Sequence, residues 1–255
     1  MANLRALIFD VDGTLAETER DGHRVAFNQT FQAAGLDWNW SIDLYGELLQ
    51  VAGGKERIQF YIEQYAPPLP HVRGWSAFIA NLHKAKTDCY KAILKSGDIQ
   101  LRPGVRRVIE AARKEGLILA IATTSRLENA LTLLKTTLPQ DAPTWFDVIA
   151  AGDIVPYKKP ASDIYHYVLD KMALSSEQCL VVEDTEHGLA AATGAGLKTV
   201  VTVNGYTQDQ DFSKATVVLN HLGESDNPFE ILSGQVMMPQ NYFDLTLAES
   251  ILQDA

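Results

Sequence analysis

Beyond Pro103 the sequence keeps switching between two hydrophobic periods. Val105 to Lys114 places apolar residues at helical spacing and is closed by Gly116. Leu117 to Thr123 is a continuous apolar run, Leu127 to Leu138 is helical again, and Phe146 to Ala150 is a short apolar run. Ser162 to Met172 is helical, Leu180 to Glu183 apolar, Glu186 to Ala195 helical with Gly196 after it, and Thr199 to Val203 apolar. Apolar runs without polar alternation read as strands buried on both faces. Strands joined through helices imply a parallel sheet with right-handed crossovers. Residues 5 to 10, Arg-Ala-Leu-Ile-Phe-Asp, read as one more buried strand, ending at an acid.

Residues 19 to 96 have a different character, helical and with no convincing central strand. Val25, Phe27, Phe31 and Ala34 keep helical spacing before Gly35, and Leu44, Leu48 and Leu49 continue it. Ile58, Phe60, Tyr61 and Tyr65 form another amphipathic segment. Pro67, Pro68 and Pro70 break it, and a long helix runs from Trp75 to Leu94. The expected division is therefore an α/β core in 1–16 and 97–222, a helical domain in 17–96, and an extension in 223–255 that packs on the core. The extension is weakly periodic apart from Leu245 to Leu252. A chain of 255 residues is long enough for this. The net charge of −10 argues against general nucleic-acid or anionic-membrane binding. No run is long enough to span a bilayer and no signal peptide is evident, so a cytoplasmic monomer is expected, or a plastid-stroma protein if a plant or algal transit peptide has been trimmed. Cys89 and Cys179 lack metal or redox spacing and read as reduced thiols.

In an open α/β sheet, ligands collect at the carboxyl ends of the strands. Here those ends carry Asp10-Val11-Asp12-Gly13-Thr14, Thr123-Thr124-Ser125 and Glu183-Asp184-Thr185, with Lys158-Lys159-Pro160 ahead of the helix at 162. Carboxylates, hydroxyls and an ammonium on one rim suit a phosphoryl group and a divalent cation. Asp10, ionised at neutral pH, can attack phosphorus and divide one hard step into two. The leaving alkoxide needs a proton, which Asp12 can give. Side chains two apart on a strand face opposite ways, so a turn at Gly13 must bring Asp12 back. Mg²⁺ takes hard oxygen ligands and keeps several waters, so one or two carboxylates suffice. Thr123 and Lys159 can hold the remaining phosphoryl oxygens. Each group also has a structural reading: Asp10 and Asp12 as a strand-end turn, Thr123 as a helix cap, Lys159 as a loop lysine. Glu183 beside Asp184 favours a cation, because adjacent carboxylates repel.

The segment from Asp10 to Leu15 resembles the first signature of the haloacid dehalogenase superfamily. Thr123, Lys159 and Glu183-Asp184 resemble its second, third and fourth, in the same order and spacing. The resemblance implies a Rossmann-like core with an inserted helical cap, Asp10 as nucleophile and Asp12 as acid/base. It also implies Mg²⁺ held by Asp10, the Asp12 carbonyl and Asp184, with Glu183 joining directly or through water. The segments 15–19, 35–38, 53–57 and 82–87, with His23-Arg24, resemble the CbbY group of that superfamily. Those proteins are associated with carbon-fixing organisms and remove the 1-phosphate of xylulose-1,5-bisphosphate, an inhibitor of Rubisco. One residue more separates Asp12 from His23 than in that group.

In the cap, Gly53-Gly54-Lys55 reads as a backbone loop able to cradle a second phosphate, with Lys86 and His23 as further anion-binding candidates. Glu17 is a candidate for sugar hydroxyls or for a hinge salt bridge, Tyr45 for substrate contact or the core, and Thr124 for substrate contact. His83, His187, Trp38, Trp40, Trp75 and Trp145 read as structural. The leading expectation is a phosphatase of a small sugar phosphate. A phosphosugar mutase resembling β-phosphoglucomutase is the alternative, and an inactive binding protein or a dehalogenase fits the filled polar positions poorly.

Overall fold

The computed structural model describes residues 4–51, 53–71, 74–234 and 241–253. The chain divides into two compact units, Met1–Glu17 with Gln100–Ala255, and Thr18–Ile99. In chain order, β1 (Ala6–Phe9) belongs to the first. The second holds a π-helical turn (Thr18–His23), α1 (Arg24–Ala33), α2 (Ile42–Leu48), α3 (Gly54–Tyr65) and α4 (Trp75–Ser96). The first unit resumes with α5 (Val105–Lys114), β2 (Ile118–Thr123), α6 (Leu127–Thr137), β3 (Val148–Ala151) and α7 (Asp163–Met172). It ends with β4 (Cys179–Glu183), α8 (Glu186–Gly194), β5 (Lys198–Thr202), β6 (Val217–Leu219), β7 (Ile231–Ser233) and α9 (Leu245–Gln253).

The strands form a seven-stranded sheet in the order β3-β2-β1-β4-β5-β6-β7, parallel except for β7 against β6. Leu7 lies opposite both Leu119 and Leu180, so β1 is central, and its four residues are fully buried. That is why the run carries no polar alternation. β2 and β3 extend the sheet to one side of β1, β4 to β6 to the other, and this reversal puts the topological switch point, where ligands of such sheets bind, at the carboxyl ends of β1 and β4. On one face Ile8, Ala120, Ala122 and Val181 pack with Tyr165 and Val168 of α7 and with Ala191 and Ala192 of α8. The α5 helix buries Val105, Val108, Ile109 and Ala112 at helical spacing. It stops where Gly116, at φ +72, lets Leu117 N–H reach back to the Ala112 carbonyl at 2.9 Å.

The helical unit is built on aromatics. Trp40, fully buried, meets Phe27 at 4.5 Å, Phe31 at 4.9 Å and Tyr61 at 5.4 Å between ring centroids. Asn28 clamps the Trp40 backbone from both sides, donating to its carbonyl at 2.9 Å and accepting from its N–H at 2.8 Å. Trp38 is buried too, whereas Trp75 is exposed.

The parallel α/β sheet and the helical insert are as the sequence suggests. Two features are not. The stretch after Thr202 contributes β6 and the antiparallel edge strand β7, each of three residues, too short for a period to show. The π turn at Thr18–His23 was also unexpected: it encloses one more residue than an α turn. α9 packs on α5 and β4. Cys89 and Cys179 are free thiols, and among the described residues no helix is long and apolar enough to cross a membrane.

Candidate active site

β1 hands the chain to a tight loop. Asp10 N–H still donates to Val182 of β4 at 3.0 Å, and the backbone then turns, with Leu15 N–H on the Val11 carbonyl at 2.9 Å and Gly13 N–H on Ala16 at 2.8 Å. Gly13 sits at φ +89, and a Cβ there would lie 2.1 Å from Asp184 Oδ2. Only glycine meets both the backbone and the space requirement. Thr14 Oγ1 donates to Asp184 Oδ1 at 3.0 Å, and Asn204 Nδ2, just past β5, donates to Asp184 Oδ2 at 2.7 Å.

Lys159 is the hub on the other side. Its Nζ donates to Asp10 Oδ1 at 2.7 Å, the Ala122 carbonyl at 2.8 Å and Glu183 Oε1 at 2.5 Å. It also lies 5.3 Å from the centre of the Tyr165 ring. Burial alone would lower the Lys159 pKa, but the charges of Asp10 and Glu183 override it and hold it well above the usual value. Glu183 is saturated with donors: Lys159 and the Tyr165 hydroxyl (3.1 Å) on Oε1, and the N–H groups of Asp184 and Thr185 with the Thr185 hydroxyl on Oε2. By contrast Lys158 is half exposed and pairs with Asp153 at 2.7 Å.

Asp10, Glu183 and Asp184 each offer a carboxylate oxygen within 4.8 Å of the others. Burial, only partly offset by Lys159, pushes Asp10 up to about 7. Burial with the charges of Glu183 and Asp10 holds Asp184 well above the carboxylate range. Fully ionised, the three carboxylates against one ammonium leave two negative charges, the charge of one divalent cation, and the raised pKa values reflect burial together with that excess. The donor set is hard oxygen, and the residues fit such an ion. Thr123, at the end of β2, is buried, and its Oγ1 accepts from Ser125 N–H at 3.1 Å, while Thr124 is exposed.

Within the helical unit several candidates meet. Lys86 is buried, its Nζ 2.6 Å from His23 Nδ1 and 4.7 Å from the centre of the Phe27 ring, and His23 stacks on Tyr90 at 3.7 Å. A lysine ammonium has no lone pair, so in this contact Nδ1 accepts and the proton of a neutral His23 sits on Nε2. A Cβ on Gly54 would lie 2.5 Å from the His83 ring and 3.5 Å from Phe27, which places the start of α3 beside the same group. Gly53 is the N-cap of α3 and Lys55 an exposed residue of its first turn, so this segment opens a helix where a free loop was expected. Tyr45 is fully buried, donating to Glu19 Oε2 at 2.6 Å and accepting from Arg57 at 3.1 Å. Glu17, in the sheet unit, pairs with Arg102 at 3.1 Å.

Three residues at the site escaped the sequence reading. Asn204 follows a strand, so the strand-end rule could have found it. Tyr165 and Arg102 carry no local signal; their roles come from what folding brings against them.

A family profile described as haloacid dehalogenase-like hydrolase matches residues 4–196. CbbY of Rhodobacter capsulatus is 49% identical over 83% of this chain and 91% of its own. A CBBY-like protein of Arabidopsis thaliana is 38% identical over 97% of this chain and 74% of its own. The crystal structure of a mutant CbbY from Rhodobacter sphaeroides in complex with xylulose-1,5-bisphosphate aligns at TM-score 0.73 and 41% identity, covering 87% of this chain and 96% of that one. The chain belongs to the haloacid dehalogenase-like hydrolases, in their CbbY-like group.

Proposed function

We propose that this protein is a Mg²⁺-dependent phosphatase that removes the 1-phosphate of xylulose-1,5-bisphosphate, giving xylulose 5-phosphate, by way of an aspartyl-phosphate on Asp10. The observation that carries the reading is the buried Asp10, gripped by Lys159 at 2.7 Å within a carboxylate set that is two charges in excess when fully ionised. The related CbbY complex with xylulose-1,5-bisphosphate supplies the substrate.

Asp10 attacks phosphorus through the oxygen not held by Lys159. Lys159, with the Thr123 hydroxyl, steadies the phosphoryl oxygens through the transition state. Asp12 protonates the departing sugar oxygen and then draws a proton from the water that hydrolyses the aspartyl-phosphate. Asp10, Asp184 and the Asp12 carbonyl would hold Mg²⁺, with Glu183 reached through water, since its oxygens already serve Lys159, Tyr165 and the 184–185 backbone. When bound, Mg²⁺ supplies positive charge that offsets the repulsion between the Asp10 carboxylate and the phosphoryl oxygens. In the helical unit, acting as the cap, Lys86 with His23 and the Gly53-Gly54-Lys55 helix start are assigned to the second phosphate. Glu17 and Thr124 are assigned to the sugar, whereas Tyr45, fully buried against Phe27 and Trp40 with its hydroxyl held by Glu19 and Arg57, takes the core role.

The test is phosphate release from a panel of phosphorylated sugars. Xylulose-1,5-bisphosphate should give the highest kcat/KM, with no need of a bisphosphate activator. Turnover only as an isomerase, dependent on such an activator, would instead establish the mutase reading, toward which a putative β-phosphoglucomutase of Thermotoga maritima, at 27% identity, points more weakly.

A further inference from the structure

Arg102 stands where the chain re-enters the sheet unit: its N–H donates to the Leu15 carbonyl at 2.8 Å and its neighbour Leu101 bridges to Ala16. Its guanidinium is buried and pairs with Glu17. It donates to the Gly13 carbonyl, to the carbonyls of Thr202 (2.9 Å), Val203 and Asn220 (2.8 Å), and to the Thr202 hydroxyl at 3.2 Å. The planar fork therefore ties the turn that follows Asp12 to the carboxyl ends of β5 and β6. Asp10 does not depend on this tie, because its own N–H is bonded to Val182 and its carboxylate to Lys159.

We propose that Arg102 is the positioning residue for the proton-transfer step: by holding the Gly13 carbonyl it fixes the adjacent Asp12, while leaving the attack by Asp10 in place. This rests on the reading of Asp12 as the acid. In that step Asp12 gives its proton to the leaving oxygen as the P–O bond breaks. A p-nitrophenolate leaves without a proton, whereas the alkoxide of benzyl phosphate needs one.

The experiment compares Arg102→Lys and Asp12→Asn on p-nitrophenyl phosphate and benzyl phosphate, under saturating Mg²⁺ and well below each variant's melting midpoint. Arg102→Gln, which keeps an amide donor, replaces the lysine variant if that fails to fold. Both lesions should cut kcat/KM for benzyl phosphate ~100-fold, the scale of general acid catalysis, while p-nitrophenyl phosphate falls only a few-fold. Equal losses on both esters for the Arg102 variant, with Asp12→Asn remaining selective, would make Arg102 scaffold only and overturn the proposal. Equal losses for Asp12→Asn itself would remove the acid assignment, and the role of Arg102 with it.

Discussion

Gly188 offers the sharpest probe of how the site is braced. It is the third residue of α8, its N–H capped by Thr185 Oγ1 at 3.0 Å, and replacing a helical glycine by alanine ordinarily stabilises by about 1 kcal/mol. Here the added Cβ would fall 1.9 Å from Glu183 Oε1, 2.0 Å from Cδ and 2.2 Å from Oε2. The carboxylate must move, and it is fully buried with every oxygen engaged. Overpacking costs about 1–3 kcal/mol and a lost charge-assisted hydrogen bond about 1.5–3, so after the helix gain Gly188→Ala should destabilise by roughly 3 kcal/mol. The displaced Glu183 also releases Lys159, and a shift of about 1 Å in such a group can cost ~100-fold in kcat/KM. Thermal melts and phosphate release check the two effects, with Gly205→Ala as control because its added Cβ meets nothing within 4 Å. A Gly188→Ala protein as stable and active as the parent would refute the bracing argument.

EDTA should abolish activity, and Asp184→Asn should raise the Mg²⁺ concentration for half-maximal phosphate release; full turnover in metal-stripped buffer would contradict this. For the metal-free protein, Asp10 lies at about 7 against 3.8 in the unfolded chain, so between those values the native state keeps a proton that the unfolded state has lost. Its contribution to stability should therefore fall as pH rises through that window and level off above it, and Mg²⁺ should bind more weakly as pH drops below 7. Melting curves in EDTA and Mg²⁺ titrations across the window test both, and Mg²⁺ affinity unchanged across it would contradict the assignment of Asp10 as a ligand. Deleting Asp21 should convert the π turn to an α turn, with melting midpoint and kcat/KM changing little; loss of folding would mean that the extra residue is structurally required.

Legibility followed length and locality. The buried strands and their polar ends could be read because continuous apolar runs and the strand-end rule are local; Asp10, Thr123, Glu183 and Asp184 fall at or beside those ends, and Lys159 in the loop ahead of α7. β6 and β7 could not, being three residues each. The tie made by Arg102 joins positions about 90 to 120 residues apart, so no window contains it. The Lys86–His23 contact was hidden the same way: each residue stood out alone, but their 2.6 Å approach depends on how α4 packs beside the π turn.

The central claim is that the phosphoryl group passes through Asp10. Quenching the enzyme during steady turnover of xylulose-1,5-bisphosphate with Mg²⁺, then reducing with borohydride, converts an aspartyl-phosphate to homoserine. Peptide mass spectrometry should find that conversion at Asp10, dependent on substrate and absent from Asp10→Asn. Reduction at another carboxylate, or none at Asp10 under conditions that trap a control aspartyl-phosphate, would contradict the account.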